Sequence, residues 1–405
     1  MSNLADTIRL FNAGRDPERL AMKYAAMRAN AFAFLRGSCH LFYARLAEGV
    51  VPPLPDSPPA WVCGDLHLEN FGSYKGDNRL VYFDLNDFDE SALAPLSWDL
   101  LRLLSSVWVA APALKLDARQ AESLCKQFIG AYSAALASGQ PRWLERDNAH
   151  GPIKQLLDKV RERKRVDLLN ARTRLDGRRR LLRCDGKRAL AAGKQDQARA
   201  RALVHSCAAA LGEPDFFEVL DVARRIAGTG SLGVERYVVL VEGKGSPDKN
   251  YLLDVKLALP SSLAPHLPFT QPSWTSEAQR IVTIQSRIQA MPTAFLHSVV
   301  RSGKSYVLRG LQPGEDKVDL DQTRKDFSDL GALLADMGRL LAWGQLRSAG
   351  RQGSANADAL IAFGAARASW QRPLLASARG CARQAARDWK SYAAAYDAGQ
   401  FDSPS

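Results

Sequence analysis

The segment Ile226–Gly243, with the sequence IAGTGSLGVERYVVLVEG, decides which kind of fold this chain adopts. Its glycines Gly228, Gly230 and Gly233 form a G-x-G-x-x-G pattern, which occurs in more than one kind of nucleotide-binding loop. In a dinucleotide-binding unit the loop must open directly into a helix. Here β-branched and aromatic residues alternate after Gly233, and this alternation predicts a strand. The segment therefore favours a glycine loop between two strands.

A glycine loop between strands covers the nucleotide phosphates in protein kinases, where the absence of Cβ atoms lets backbone amides approach them. Such a lobe needs a lysine on the next strand but one, and the strand-like YLLDVKLAL supplies Lys256. It also needs a helical carboxylate that orients this lysine, and Glu277 is the one acid between Leu257 and Ala290. Alternatively, Lys256 is a surface lysine on an edge strand and Glu277 a first-turn residue favoured by the helix dipole.

A second group of polar residues lies much earlier, in WVCGDLHLENFG (61–72) and the following FDLNDFDES. Asp65 and Asn70 stand five residues apart after a short strand, the spacing of a phosphoryl-transfer loop whose Asp contacts the acceptor hydroxyl and whose Asn binds the metal. A carboxylate after the next strand would hold Mg²⁺, and Asp87 has the best neighbours for this role. Asp84 and Asp89 remain alternatives.

The G-D-x-H start of this loop also occurs in metallophosphatases. Those enzymes need further His and Asn-His motifs for a two-metal site, and no later histidine has such a context. His67 is therefore predicted to form hydrogen bonds within the loop, with a place beside a metal as the alternative. Arg36, in FLRGS, either forms a salt bridge to this loop or is structural.

The net charge of +12 is concentrated in one segment rather than spread along the chain. Residues 159–201 contain 16 Lys and Arg against 5 Asp and Glu. This segment is either a solvated helical or linker surface or a docking surface for an anionic partner. It contains no aromatic residue on which nucleic-acid bases could stack.

The composition, with 46% hydrophobic and 24% charged residues, is ordinary for a globular protein. The length of 405 residues is enough for two or three domains. No apolar run approaches the ~20 residues of a membrane span, and no signal peptide is recognisable at the N-terminus. The six cysteines include no C-x-x-C pair, which suits reduced thiols. We therefore expect a cytoplasmic protein.

The segments GDLHLENFG, NDFDES and SWDLLRL together resemble the catalytic and metal-binding loops of aminoglycoside and choline phosphotransferases, including Asp99 at the start of a helix. GTGSLG and VKLA resemble the small lobe of a kinase, but they come later in the chain. This order, with FAFLRGS before it and RIVTIQSRIQAM after it, resembles the bacterial family called domain of unknown function 2252. That family is grouped with protein-kinase-like phosphotransferases by similarity.

The resemblance spans about residues 20–395 and implies a kinase-like fold with an ATP and Mg²⁺ site. It carries that site to Asp65, Asn70, Asp87, Gly228, Gly230, Gly233 and Lys256. SYVLRGLQPGE would then lead to a hinge near Gly310–Gly314, where adenine binds.

The expected fold is α+β, a two-lobe protein-kinase-like fold in circularly permuted order. The predicted parts are helices with the catalytic and metal loops (1–150), a basic helical or linker segment (151–221), a small β-rich nucleotide-binding lobe (222–315) and C-terminal helices that complete the large lobe (316–405). The expected function is an ATP- and Mg²⁺-dependent phosphotransferase with an unidentified hydroxyl acceptor. The alternatives are a nucleotide-binding pseudokinase scaffold and a nucleic-acid-associated protein.

Overall fold

The computed structural model describes residues 3–50, 53–312 and 317–402, and it has a mixed α+β architecture. The helices, in chain order, are α1 (Leu4–Phe11), α2 (Pro17–Ala29), α3 (Ala31–Gly37), α4 (Cys39–Ala47), α5 (Ser97–Ala110), α6 (Ala118–Ala137), α7 (Gly151–Glu162), α8 (Arg165–Arg172), α9 (Lys194–Leu211), α10 (Glu277–Ile288), α11 (Leu320–Thr323), α12 (Phe327–Arg347), α13 (Ala357–Ala365) and α14 (Arg367–Asp397).

The strands, in chain order, are β1 (Pro59–Val62), β2 (Phe71–Lys75), β3 (Val81–Leu85), β4 (Ala92–Pro95), β5 (Leu144–Glu145), β6 (Thr173–Asp176), β7 (Arg179–Leu182), β8 (Ala189–Ala191), β9 (Val219–Arg225), β10 (Arg236–Val241), β11 (Tyr251–Leu257), β12 (His297–Arg301) and β13 (Lys304–Gly310). The predicted strands around ERYVVLVEG, NYLLDVKLAL and KSYVLRGL are confirmed as β10, β11 and β13.

The largest sheet is antiparallel, with the strand order β12-β13-β11-β10-β9-β8. Helix α10 lies in sequence between β11 and β12, and it packs against β12 and β13. One face of the sheet is covered by the apolar side of α9, through residues such as Leu203 and Val204. The glycine loop joins β9 to β10, so it connects two neighbouring strands as the sequence predicts.

The sheet begins earlier than residue 222, the start of the predicted β-rich part. Strand β8 lies within the basic segment, and it pairs with β9 through Ala189 and Ala191. Leu169 and Leu182, also from the basic segment, are buried in a cluster with Leu252 and Leu311 of the opposite sheet face. Part of the basic segment is thus folded onto the sheet and is not a bare linker.

The helices at the two ends of the chain pack together. Helix α12 lies against α6, and the long α14 lies against α5 and α3. Their contact surface is the largest apolar core of the molecule, with Leu104 and Phe128 from the first half beside Leu341 and Leu374 from the last part. Small sheets, β1-β4 and β2-β3-β5, border this helical core. Within the described residues, no helix has the length and apolarity that a membrane crossing requires.

Candidate active site

One cavity, of about 120 Å³, brings together the two groups of residues that the sequence singles out. Its lining includes Asp65, Asn70, Asp87, Gly228, Gly230 and Lys256. Gly233 lines a neighbouring cavity of about 730 Å³ instead, and Glu277 lines neither of these two cavities. Residues more than 130 positions apart in sequence therefore meet at one place.

The loop between β1 and β2 carries Asp65 and is held by hydrogen bonds to its backbone. The carboxylate of Asp99, in the first turn of α5, accepts from the amides of Cys63 (2.8 Å) and Gly64 (2.9 Å). The Tyr43 hydroxyl donates to the carbonyl of Gly64. Gly64 has φ +83°, and a Cβ atom there would lie 2.3 Å from the carbonyl oxygen of Glu90. Only glycine fits at this crossing of the loop and the segment after β3.

Asp65 has one of its two carboxylate oxygens free. Arg102, which is fully buried, donates from Nε (2.9 Å) and Nη2 (2.6 Å) to the same Oδ1 atom of Asp65. Within the described residues, Oδ2 of Asp65 accepts no hydrogen bond, and Asp65 lines the cavity. Burial raises the pKa of Asp65 above its ordinary value, although the Arg102 guanidinium acts in the opposite direction. This carboxylate is suited to accept a proton from a group in the cavity.

Asn70 is oriented by its own loop. Its Nδ2 atom donates to the carbonyl of Asp65 (2.6 Å), and its backbone amide donates to the carbonyl of His67 (2.9 Å). The Oδ1 atom of Asn70 accepts no hydrogen bond from any residue that the structure describes, so it is available as a metal ligand.

His67 is a hydrogen-bonding residue of the loop, as predicted. Its Nδ1 atom accepts from the backbone amide of Glu69 (3.1 Å), and its ring meets Phe32 edge-on. Burial, with Arg36 and other cations nearby, lowers the pKa of His67 well below its ordinary value. The ring is therefore neutral and acts as an acceptor within the loop.

The three aspartates of FDLNDFDES have different surroundings. Asp84 is buried, and its Oδ2 atom accepts from the amide of Ala290 and from Arg347 (both 3.1 Å). Asp89 forms an ion pair with Lys256, which holds the pKa of Asp89 below its ordinary value although burial would raise it. Asp87 lines the cavity and accepts one long hydrogen bond, from the amide of Asp89 (3.4 Å). Asp87 thus has the carboxylate most available to a ligand.

Asn70 and Asp87 are the residues that fit a Mg²⁺ ion. Among the residues described, no group of three or more His, Cys, Asp or Glu side chains is arranged to hold a metal. Mg²⁺ is commonly held by one or two carboxylates, with substrate phosphates and water completing the octahedron. An amide oxygen and a carboxylate in one cavity match that donor set.

Lys256 projects from β11 and connects the two groups. Its Nζ atom pairs with Asp89 and donates to the hydroxyl of Ser231 in the glycine loop (2.6 Å). The predicted pair with Glu277 does not form, because Glu277 is the first residue of α10 and its carboxylate turns to Arg280 (2.7 Å) on the same helix. In the described structure, the carboxylate beside Lys256 is that of Asp89, from the segment after β3, and not one from the helix.

The glycine loop is held by the N-terminal helices. The carbonyl of Gly230 accepts from Arg15 Nη1 (2.8 Å) and Lys23 Nζ (3.0 Å), and the amide of Asp16 donates to the carbonyl of Gly233 (2.9 Å). Gly228 and Gly233 have positive φ angles of +71° and +84°, which explains the glycines. Sequence reasoning missed Arg15 and Lys23, since no local pattern relates them to a loop 200 residues later.

Arg36 forms a salt bridge with the Asp65 loop, the first of its two predicted alternatives. It contacts Glu69 at 2.8 Å, and Lys317 approaches the same carboxylate at 3.7 Å. Both cations line the cavity. Lys317 follows the predicted hinge, Gly310–Gly314, whose last part (313–314) lies outside the described residues.

The sheet face on the side of Lys256 is charged at its centre. Asp254, on the same face two residues before Lys256, pairs with Arg225 (2.5 Å), Arg236 (2.6 Å) and Arg309 (3.6 Å). Burial alone would raise the pKa of Asp254, but these guanidiniums hold it well below its ordinary range. Arg309, which pairs with Asp254 across neighbouring strands, directly precedes the start of the predicted hinge at Gly310.

The sequence model of one family, described as an uncharacterized protein conserved in bacteria (DUF2252), matches residues 15–395. The chain belongs to the DUF2252 family. No curated protein and no solved structure matched it. The match to DUF2252 begins at Arg15 and so includes both N-terminal cations of the cavity as well as the two motif groups.

Proposed function

We propose that this DUF2252 protein is a nucleotide- and Mg²⁺-dependent phosphotransferase that acts on a hydroxyl group. The observation that supports this most strongly is the convergence of Asp65, Asn70 and Asp87 with the glycine loop and Lys256 around one cavity. In kinases the same parts surround the transferred phosphate, with the lysine on the third strand of the small lobe.

The strand arrangement also supports the kinase-like assignment. The glycine loop joins β9 and β10, Lys256 lies on the next strand, β11, and α10 follows before β12. Apart from β8, this is the order in which a kinase small lobe presents its loop, lysine and helix. The helical part comes both before and after it in sequence, as in a permuted chain, and such rewiring is tolerated where chain ends lie close together.

Each residue then has a chemical role. The free Oδ2 atom of Asp65 takes the proton of the acceptor hydroxyl while the acceptor oxygen forms the new bond to the γ-phosphorus. The bond from that phosphorus to the β–γ bridging oxygen breaks, and the nucleoside diphosphate leaves. Asn70 and Asp87 would hold Mg²⁺, which neutralises phosphate charge, and Lys256 would contact the α- and β-phosphates.

A nucleotide-binding scaffold without turnover is the second candidate, because Lys256 is paired with Asp89 and not with a phosphate group. The cavity, at about 120 Å³, is smaller than the roughly 300–1,000 Å³ of most ligand pockets, so both candidates require it to widen when a nucleotide binds. The ion pair of Lys256 with Asp89 lies in the lining of this cavity, so Lys256 must leave Asp89 before it can contact a phosphate group. Catalysis therefore requires an opening of the cleft and the exchange of the Lys256 partner.

The test is to compare Asp65→Asn with the unmodified protein, with Asp147→Asn as a control because Asp147 is 75% exposed. We expect Asp65→Asn to lower Mg-ATP turnover by about 100-fold or more while Mg-ATP binding is kept. In the unmodified protein, turnover should rise with pH around a midpoint above that of an ordinary aspartate. Binding without turnover in the unmodified protein favours the scaffold, and no binding of Mg-ATP rejects both candidates.

A further inference from the structure

Two cations from the N-terminal segment, Arg15 and Lys23, line the cavity and have no place in the kinase-like scheme. Lys23, on α2, is 1% exposed, and Arg15 lies in the segment just before this helix. Both donate to the carbonyl of Gly230, and Arg15 Nη1 also donates to the carbonyl of Leu232 (3.1 Å). The ring of Phe11 lies 5.5 Å from the Arg15 guanidinium and 6.0 Å from the Lys23 ammonium.

In the part of the chain that the structure describes, neither cation has an anionic partner. Within the described residues, no carboxylate lies within ion-pair distance of Lys23 or Arg15, whereas Lys256, Arg36 and Lys317 each have one. Among the carboxylates, Glu90 has the largest electrostatic effect on both cations, but its carboxylate accepts from the amide and hydroxyl of Ser262.

An unpaired ammonium in the protein interior carries a large desolvation cost. Lys23 has three N–H donors and makes one hydrogen bond to the described residues, with the Gly230 carbonyl as acceptor. Burial lowers the pKa of Lys23 well below its ordinary value. Because burial of a charged side chain is unfavourable, such a side chain is commonly paired with a group of opposite charge. Lysine frequently binds phosphate in this way.

We propose that Lys23 and Arg15 form an oxyanion site that binds phosphate groups of a polyphosphate substrate, in addition to Lys256 and the glycine loop. This inference deepens the proposed function, on which it rests for the identity of the substrate. In kinases the glycine loop, the strand lysine and Mg²⁺ hold the phosphates, and here the N-terminal segment adds two cations to that set.

A structural clamp on the glycine loop is the competing explanation, and the two differ in the sign of a stability change. If Lys23 only clamps the loop, Lys23→Met lowers the melting temperature of the free protein and leaves anion binding intact. If Lys23 binds an anion, Lys23→Met removes an unpaired charge from the free protein. The melting temperature of the free protein is then equal or higher, and anion binding is lost.

Thermal unfolding and calorimetry of the full chain with inorganic tripolyphosphate, with and without Mg²⁺, test this. We expect tripolyphosphate to stabilise the unmodified protein, and Lys23→Met and Arg15→Gln each to weaken its affinity about tenfold or more. Lys126→Met, at a half-exposed lysine on α6, is the matched control and should bind as the unmodified protein does.

The basic segment is the other place where tripolyphosphate could bind, so the exposed Arg178 and Arg179 are changed to Gln in a further control. The proposal is overturned if the variant at Arg178 and Arg179 loses tripolyphosphate binding while Lys23→Met binds normally. It is also overturned if the unmodified protein does not bind tripolyphosphate. Loss in Lys23→Met without any ATP turnover in the unmodified protein upholds this site and rejects the proposed function. If the unmodified protein turns over ATP and Lys23→Met binds tripolyphosphate with unchanged affinity, the proposed function is upheld and this site is rejected.

Discussion

Asp65, in the loop after β1, and Asp99, on α5 beside that loop, are carboxylates with different surroundings: the side chain of Asp65 is 20% exposed, and Asp99 is fully buried. Asp65 is paired with the guanidinium of Arg102. Asp99 accepts from the backbone amides of Cys63 and Gly64 and has no cationic partner among the described residues. Burial therefore dominates at Asp99 and raises its pKa to about 7. The residue that fixes the loop is thus also one whose charge changes near neutral pH.

This difference predicts a pH dependence of stability. The pKa of Asp99 is about 7 in the folded chain but about 3.9 in the unfolded chain, so the folded state holds a proton that the unfolded state releases. Its contribution to the free energy of unfolding is complete below about pH 4 and is lost as the pH rises through 7. In Asp99→Asn this contribution is constant.

Urea unfolding at pH 5 and pH 8 measures the effect. We expect the unmodified protein to lose more stability than Asp99→Asn between the two values. Equal losses in both proteins would show that Asp99 is ionised throughout the range.

Among the helices and strands, those of the basic segment (residues 159–201) differ most from what the sequence alone indicates. Its charge dominates the composition, yet Leu169 of α8 and Leu182 of β7 are buried against the sheet. Arg180 is 2% exposed, and its guanidinium binds the Pro247 carbonyl and Asp248. Some of the basic residues are therefore structural, which reduces the surface left for an anionic partner.

Leu169→Ala tests this packing, with Leu175→Ala as the control from the same segment. Leu169 is 1% exposed and Leu175 is 54% exposed. Removing the buried side chain should lower the free energy of unfolding by about 2–5 kcal/mol, whereas the surface change should stay within about 0.5 kcal/mol. Denaturant unfolding checks both. Small, similar effects would mean that the segment is a loosely attached surface.

The candidate site was predictable from sequence only where local patterns carry it. The spacing of Asp65 and Asn70 and the glycine loop before a strand are local signals, and both groups line the cavity. The partner of Lys256 was not predictable, because Asp89 lies 167 residues away and Glu277 had the expected helical position. Arg15 and Lys23 carry no local signal at all.

For the whole molecule too, local patterns predicted the helices and strands but not how distant segments pack together. Hydrophobic periodicity predicted helices at both ends and strands between them, as the structure has them. It could not show that α14 packs on α5, that β8 joins the large sheet or that α9 covers one face of it, because those contacts join distant segments with similar apolar patterns.

The ion pair between Lys256 and Asp89 joins β11 of the large sheet to the segment after β3. The interaction free energy of this pair measures how strongly these two parts of the molecule are held together. A double-mutant cycle with Lys256→Met and Asp89→Asn should give a coupling of about 1 kcal/mol or more in urea unfolding, because Lys256 is buried although Asp89 is partly exposed. The exposed pair Lys126–Glu122 on α6 is the control, with a coupling of about 0.3–0.5 kcal/mol.

The same cycle with Mg-ATP shows whether the closed arrangement must change. A nucleotide that takes over Lys256 separates it from Asp89, so the coupling should fall toward zero when Mg-ATP is bound. A coupling that is large and unaffected by Mg-ATP would mean that Lys256 is a structural link between the sheet and the metal loop. A negligible coupling in the free protein would mean that the glycine loop, through Ser231 and the N-terminal cations, holds the cavity closed instead.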